Sequence, residues 1–377
     1  MKAVIKNILK WILFHGIYAI YYRLQCCHGV EKDSVLFLDI RFLELCDSFW
    51  KLEEAYLREN KKTIHIFCLG ESQISRKEYW KRCFTMLKHI ARAELVYVDA
   101  GNSIISAIPL RKETKIVQLW HGCGAFKCFG YEAGLQEPYY NNISLVSVSG
   151  KEVVDIYSRS MHIPKEDIMP VGVSRTDVFF DEAFVSTARK RVAECYHGIN
   201  GKKILLYAPT FRGNGADAKM PRLLDIEKLY QALSKEYVVL FKGHPAVKEE
   251  IMIADMYKDF FIDVSKSLTI EELICTADIC ISDYSSLIFE YSLFDKPMIF
   301  YAYDYEEYVT ERGFYYSYQE FVPGPICSNT EEVIECILTC ESQTPLRVQA
   351  FRKKFMDGCD GKATERIIQA AEELSQK

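Results

Sequence analysis

The sequence predicts an α/β protein built from two Rossmann-like domains, each with a parallel sheet, facing a central cleft. Three observations carry this. From residue 33 onward, short apolar β-rich runs alternate with helical stretches, the pattern of parallel strands covered by helices on both faces. A more polar, mostly helical interval over 175–200 ends in the turn Gly198-Ile199-Asn200-Gly201, and the same alternation then starts again. The chain has 377 residues, 49% hydrophobic and 26% charged, which suits two domains of ordinary size, each with its own core. The expected organisation is a segment over 1–30, a first domain over 31–195 and a second over 196–377, whose last helix could pack back on the first domain.

In the first domain, Val35-Leu36-Phe37-Leu38 and Thr63 to Cys68 read as strands flanking a helix around 47–60. Arg76 to Ala91 reads as a helix, and Leu95 to Val98, Lys115 to Leu119 and Ile143 to Ser147 as further strands. Gly150 opens a helix running through Tyr157. In the second domain, strands are expected at 203–208, 237–242, 260–263, 278–282 and 297–302, with helices at 225–235, 270–277, 286–294 and 330–340. Thr269 and Glu272 form a capping box at one helix start. The tail from Arg347 to Gln376 reads as helical.

The N-terminus stands apart. Residues 1–30 contain Lys2, Lys6, Lys10 and Arg23 and no acidic residue. The three lysines share one helical stripe, and Ile5, Ile8, Leu9, Ile12 and Leu13 fall on another. The apolar run Trp11 to Tyr22, interrupted by His15, is too short to span a bilayer, and no small-residue cleavage site follows it. The segment is expected to be a basic amphipathic helix at a membrane surface.

A net charge of −5 argues against general nucleic-acid binding, which calls for a basic excess, so any anion site must be local. The 14 cysteines are scattered, with no C-x-x-C pair and no Cys/His ligand spacing. They read as small buried hydrophobes in a reducing compartment. There is no G-x-S-x-G elbow, no H-E-x-x-H and no Walker loop, and no carboxylate grouping suggests a metal cage.

What the second domain does offer is polar residues where its strands end. Tyr207 runs into Ala208-Pro209-Thr210-Phe211-Arg212, Phe241 into Lys242-Gly243-His244-Pro245, and Ile281 into Ser282-Asp283-Tyr284-Ser285-Ser286. Tyr301 runs into Ala302-Tyr303-Asp304. In an open parallel sheet these carboxyl ends line one edge, where ligands bind. Ser285 and Ser286 precede the apolar helical run Leu287 to Phe294, so two hydroxyls and free N–H groups at a helix start could cradle an anion. His244 lies on a loop pinned by Pro245 and could donate to a phosphate oxygen. Arg212 has the fork that grips phosphate bidentately, and Lys242 adds a positive charge. In the first domain, a strand runs into Trp120-His121-Gly122-Cys123-Gly124, whose glycines permit close backbone approach. His121 stands where a general base for an acceptor hydroxyl is needed.

Taken together, "QLWHGCGAFKCFG" (118–130), "VGVSRTD" (171–177), "YAPTFR" (207–212), "KGHP" (242–245) and "SDYSSLIFEYSLFDKPMIFYAYD" (282–304) resemble the CDP-glycerol glycerophosphotransferase family, which builds teichoic acids and related envelope polymers. The resemblance spans roughly residues 90–330. It implies a GT-B-like fold with the nucleotide donor held mainly by the C-terminal domain. It implies His121 as the base, with His244, Ser285 and Ser286 at the donor pyrophosphate and Arg212, Asp283, Lys242 and Gly122 in the same site. It also implies no required metal or cofactor, a lipid-linked acceptor, and a peripheral place on the cytoplasmic face of the membrane.

The expected reaction is transfer of glycerol phosphate from CDP-glycerol with release of CMP. CDP-ribitol as donor, a nucleotide-sugar glycosyltransferase on the same fold, and a catalytically dead scaffold are the rival readings. Three departures from the family pattern stand out. The first 90 residues match no motif, Cys123 and Cys128 replace small or basic residues, and the length suits a lone catalytic module that adds a single unit or primes.

Overall fold

The structure is a computed structural model that describes residues 8–120, 122–196, 199, 201–213, 217–339 and 344–376. The chain forms two compact units. The first holds residues 1–123, 129–177 and 357–377, and the second holds 124–128 and 178–356.

The sheet of the first unit is wholly parallel. Its strands are β1 (Glu31–Asp39), β2 (Thr63–Cys68), β3 (Ala93–Val98), β4 (Lys115–Gln118), β5 (Leu145–Ser147) and β6 (Ile168–Met169), in the order β2-β1-β3-β4-β5-β6. Helices cover both faces because the central strands are apolar on both. On one face Phe37, Tyr97 and Val117 pack against the helices Asp47–Glu59 and Ala363–Ser375, through Phe49, Leu52, Ile367 and Ala371. On the other, Leu36, Leu38, Val96 and Val98 pack against Arg76–Ile90, Ser103–Ala107 and the N-terminal helix.

That N-terminal helix has a π-helical stretch, Ile12–Tyr18, followed by α-helix Ala19–Cys26. Phe14, Tyr18 and Tyr22, spaced four apart, point inward, and the Tyr18 hydroxyl donates to the Trp80 carbonyl at 3.0 Å. The opposite side keeps its apolar residues in solvent: Ile17, Ile20 and Leu24 are 51%, 60% and 60% exposed. Lys2, Lys6 and Ile5 lie outside the described residues. Among the described residues no helix is long and apolar enough to cross a membrane.

The second unit repeats the scheme with β7 (Lys203–Tyr207), β8 (Tyr237–Phe241), β9 (Phe261–Asp263), β10 (Ile279–Ser282), β11 (Met298–Tyr301) and β12 (Ile326–Cys327). All pairs are parallel and the order is β12-β11-β10-β7-β8-β9. Counted from β7, this is the dinucleotide-fold order, which reverses between β7 and β10. The crevice outside the carboxyl ends of these two strands is therefore where a ligand belongs.

The structure departs from the sequence expectations in several places. Strands β6 and β12 were not foreseen, because two residues are too few to show a period. The helix Glu182–Cys195 belongs to the second unit rather than the first. Its Arg191 pairs with Glu272 at 2.7 Å and donates to the Ser267 carbonyl at 3.1 Å, both in the second unit. The expected helix over 286–294 is an α-helix only over Leu287–Tyr291, continued by a 3₁₀ turn at Ser292–Phe294. The helical tail is two helices, Thr344–Phe355 and Ala363–Ser375. Between them the backbone of Gly358 donates to the Ser149 carbonyl at 2.9 Å and lies so near Gly172 that a Cβ there would fall 2.5 Å from its nitrogen.

The 171–177 motif does structural work in the first unit. Asp177 accepts the N–H groups of Ala363 and Thr364 at 3.1 and 2.7 Å, capping the last helix. The Ser174 hydroxyl donates to the Ser48 carbonyl, and Arg175 pairs with Asp47 at 2.7 Å, fixing the start of the helix Asp47–Glu59. Replacing Asp177 by Ala is expected to cost about 1–2 kcal/mol, the value of a lost N-cap. Urea denaturation should show the midpoint falling, with Asp177→Asn retaining part of the loss; an unchanged midpoint would remove the cap from the account.

Candidate active site

At the switch point of the second sheet Arg212 and Asp283 meet. Asp283, one residue beyond β10, is 2% exposed and accepts the Thr210 N–H from beyond β7 at 2.8 Å. It also accepts the Tyr284 N–H at 2.6 Å. Arg212 lies against it, with Nη2 3.1 Å from Asp283 Oδ2. The guanidinium simultaneously grips Asp304, beyond β11, through Nε at 2.5 Å and Nη2 at 3.0 Å, and donates Nη1 to the Thr210 carbonyl at 2.6 Å. Tyr284 donates its hydroxyl to Asp304 at 3.0 Å. The rings of Tyr284, Tyr303 and Tyr308 lie within 5.0–5.6 Å of the guanidinium carbon.

Burial works against the charge on Arg212, but the Asp304 hydrogen bonds and both carboxylates outweigh it and hold the group protonated. Burial also raises the pKa of Asp283, opposed by Arg212 and the two N–H donors. Arg212 is thus committed to carboxylates, where the sequence reading gave it a phosphate. Lys242 is committed as well: Nζ donates to the Ser265 and Leu268 carbonyls at 2.8 and 2.6 Å, fastening the loop after β9. Burial lowers its pKa, with Glu271, Asp263 and Glu272 opposing.

His244 is placed to meet a ligand. Its Nδ1 accepts the Ala246 N–H at 3.1 Å, so the neutral ring carries its proton on Nε2. Phe211 lies 4.6 Å away, centroid to centroid. Removal from water lowers the pKa of the imidazole, and the charge of Lys127 lowers it further. The ring is therefore a neutral Nε2–H donor at neutral pH. Ser285 Oγ accepts the Leu287 N–H at 3.3 Å, while Ser286 is exposed and its side chain makes no cap bond. With only five α-helical residues behind it, this start has a small dipole, so the hydroxyls rather than the helix would meet an anion.

In the first unit, Trp120 adopts φ +60, a strained conformation for so large a residue. It is held there by Ser48, whose hydroxyl donates to the Trp120 carbonyl at 3.0 Å, and by Phe129, Tyr140 and Tyr157 around the indole. His121 lies outside the described residues, and Gly122, next to it, is partly buried.

Asp39, Cys46 and Asp99 bring ligand-type atoms within 4.8 Å of one another at the end of β1 and β3. Their acceptors are already in use. Asp39 takes the N–H groups of Arg41, Phe42 and Cys46, and Asp99 takes the Ile40 N–H and the Arg41 Nε. Burial and the neighbouring Asp39 push the Asp99 carboxyl up to about 6. The group shapes its own loop and is not a cage for an ion.

Sequence reasoning missed Lys127, which feels the charge of Asp283 in the second unit although it belongs to the first half of the chain. It also gave no role to Asp304 or the tyrosines. The strand-end rule that pointed to Asp283 also pointed to Tyr303 and Asp304, without saying what they would hold.

Two parallel sheets flanked by helices define a two-domain GT-B-like α/β fold. The solved structure of the wall teichoic acid polymerase TagF, H548A, superposes with a TM-score of 0.78 at 20% identity, covering 99% of this chain and 96% of that one. The sequence pattern of the CDP-glycerol:poly(glycerophosphate) glycerophosphotransferase family matches residues 20–373, and the chain belongs to that family. It is 36% identical over 369 residues to a teichoic acid poly(ribitol-phosphate) polymerase of Bacillus spizizenii, covering 96% of this chain but 59% of that protein. It is 32% identical over 383 residues to a teichoic acid ribitol-phosphate primase of the same organism, covering 97% of each. The chain thus spans about three fifths of the polymerase and nearly all of the primase.

Replacing Arg212 by Met would leave Asp283 and Asp304 without their cation. Loss of one partner from a buried pair costs about 3–5 kcal/mol, so the urea midpoint should fall steeply. A small change with intact donor affinity would show that the pair carries no stability.

Proposed function

We propose that this protein transfers a polyol phosphate from a CDP-polyol, CDP-glycerol in the first instance, to a hydroxyl of a lipid-linked envelope precursor, releasing CMP. The observation that carries this is the switch-point cluster of the second unit, in a chain of this family: donors at the ends of β8 and β10, on a frame that Arg212 and Thr210 fix at the end of β7, where a nucleotide phosphate would lie. The acceptor oxygen attacks the polyol-bearing β-phosphorus, the bond from that phosphorus to the CMP oxygen breaks, and CMP leaves with the electron pair. His121 takes the acceptor's proton. The His244 Nε2–H and the Ser285 and Ser286 hydroxyls donate to the charge-rich phosphates, and Asp283 with Arg212 keeps the strand ends in register beneath them. Positioning and electrostatics carry such a transfer. CDP-ribitol is the second reading, favoured by the likeness to a ribitol-phosphate polymerase and a ribitol-phosphate primase reported above.

Acceptor-dependent CMP release should appear with one CDP-polyol and fall by about a hundredfold or more in His121→Ala. Near-normal turnover in that variant would end the base assignment. Release from a nucleotide sugar and from neither CDP-polyol would overturn the donor class.

The exposed Ile17, Ile20 and Leu24, with Arg23 beside them, support a peripheral place on the cytoplasmic membrane face. Because these side chains are already in water, Ile20→Glu with Leu24→Glu should leave the melting temperature unchanged while reducing flotation with anionic vesicles. Undiminished flotation would remove this helix as the contact.

A further inference from the structure

We propose that Lys127 is the cation that captures the donor's phosphates, acting alongside the Nε2–H of His244. The proposal deepens the functional reading above and rests on it.

Lys127 is locked into the second unit by its neighbours. The Phe126 carbonyl accepts the Tyr315 N–H at 3.1 Å, and the Cys128 N–H donates to the Gly313 carbonyl at 3.2 Å, so residues 126–128 lie as a short antiparallel edge along 313–315. The Phe126 ring packs on Phe314 and Phe321, with centroids 4.9 and 4.8 Å away. Gly124, at φ +64, lets the segment run against Phe289: a Cβ there would come within 2.1 Å of the ring. The side chain emerging from this edge ends 3.4 Å from the Tyr308 hydroxyl, close enough to Asp283, Arg212, Arg312 and His244 to act on their charges or feel them.

Its commitments differ from those of Arg212 and Lys242. Arg212 is spent on two carboxylates, and Lys242 on two carbonyls. Lys127 has no carboxylate within ion-pair distance among the described residues; its hydrogen-bonded neighbour is a neutral phenol, and Asp283 acts on it only from a distance. Arg312 donates to the Gly213 carbonyl and stands 5.6 Å over Phe211, likewise without a carboxylate. A partly buried ammonium without a counter-ion is costly, and an incoming phosphate relieves that cost. His244, whose imidazole feels the same charge and keeps its Nε2–H free of the Ala246 bond, provides the second contact.

Loss of hydration lowers the Lys127 pKa to about 8; Asp283 opposes the shift, and Arg312 and Arg212 add to it. The ammonium is present below that pH and is lost above it. A bound phosphate raises the pKa again, so the loss belongs to the free enzyme and appears in kcat/KM rather than in kcat.

The test uses the full chain with Lys127→Met and Lys127→Arg. Binding of CDP, which needs neither acceptor nor turnover, is followed by calorimetry across pH, and CMP release is measured in parallel. In the native protein CDP affinity and donor kcat/KM should fall about tenfold per pH unit above about 8. Lys127→Met should weaken CDP by about a hundredfold and abolish that limb. Lys127→Arg should retain much of the affinity and lose the limb, because guanidinium does not titrate there. A Lys127→Met protein that binds CDP normally, or keeps the limb, overturns the proposal, as does a native protein with no affinity for CDP. If CDP binds through Lys127 but no CDP-polyol is turned over, the phosphate site stands and the transfer reaction falls.

Discussion

The second unit depends on one guanidinium. Arg212 stands at the point where three strands of a parallel sheet finish, and it takes Asp283 from β10, Asp304 from β11 and the Thr210 carbonyl from its own strand end. Two carboxylates buried side by side would repel, and each would tend to take up a proton. A planar fork between them makes both sustainable and sets the lateral spacing of the loops they belong to. Ser285 and Ser286 are carried on the loop that Asp283 begins. A lysine would not be equivalent, since its compact ammonium lacks the planar fork that grips Asp304 at two nitrogens.

Much of the fold was legible because fully buried parallel strands are written as continuous apolar runs. Val238 to Phe241 and Ile279 to Ile281 have no other plausible home. What stayed hidden depended on tertiary contacts. Strands β6 and β12 exist because a longer neighbour offers an edge to pair with. The break between the last two helices comes from Gly172 and Gly358 meeting, residues far apart in the chain. The turn at 198–201 looks like the boundary and leaves the helix Glu182–Cys195 with the first domain, while Arg191 and Glu272 fix where it packs.

For the site, sequence identified which residues gather and could not assign their partners. Strand ends in a parallel sheet are forced to one edge, so Arg212, His244, Asp283 and the two serines could be grouped without coordinates. Whether Arg212 faces a ligand or a carboxylate depends on Asp304, 92 positions later, and nothing local reveals it. Lys127 escaped for a related reason: its segment looks like part of the first sheet's loops, and only its backbone pairing with 313–315 shows where it belongs. The tautomer of His244, by contrast, is set by a residue two places away and is a local property of the turn.

The capping of Ala363 and Thr364 by Asp177 bears on how the chain comes off the ribosome. Ile367 and Ala371, on the helix it starts, complete the core over Phe37 and Tyr97. One face of the earliest-made sheet, covered until then by the helix Asp47–Glu59 alone, therefore stays incomplete until residues 357–377 emerge, after the second sheet has all its strands. Synthesis order and completion order are opposed, and during translation the apolar face of β1 and β3 is the surface on which misassembly would begin.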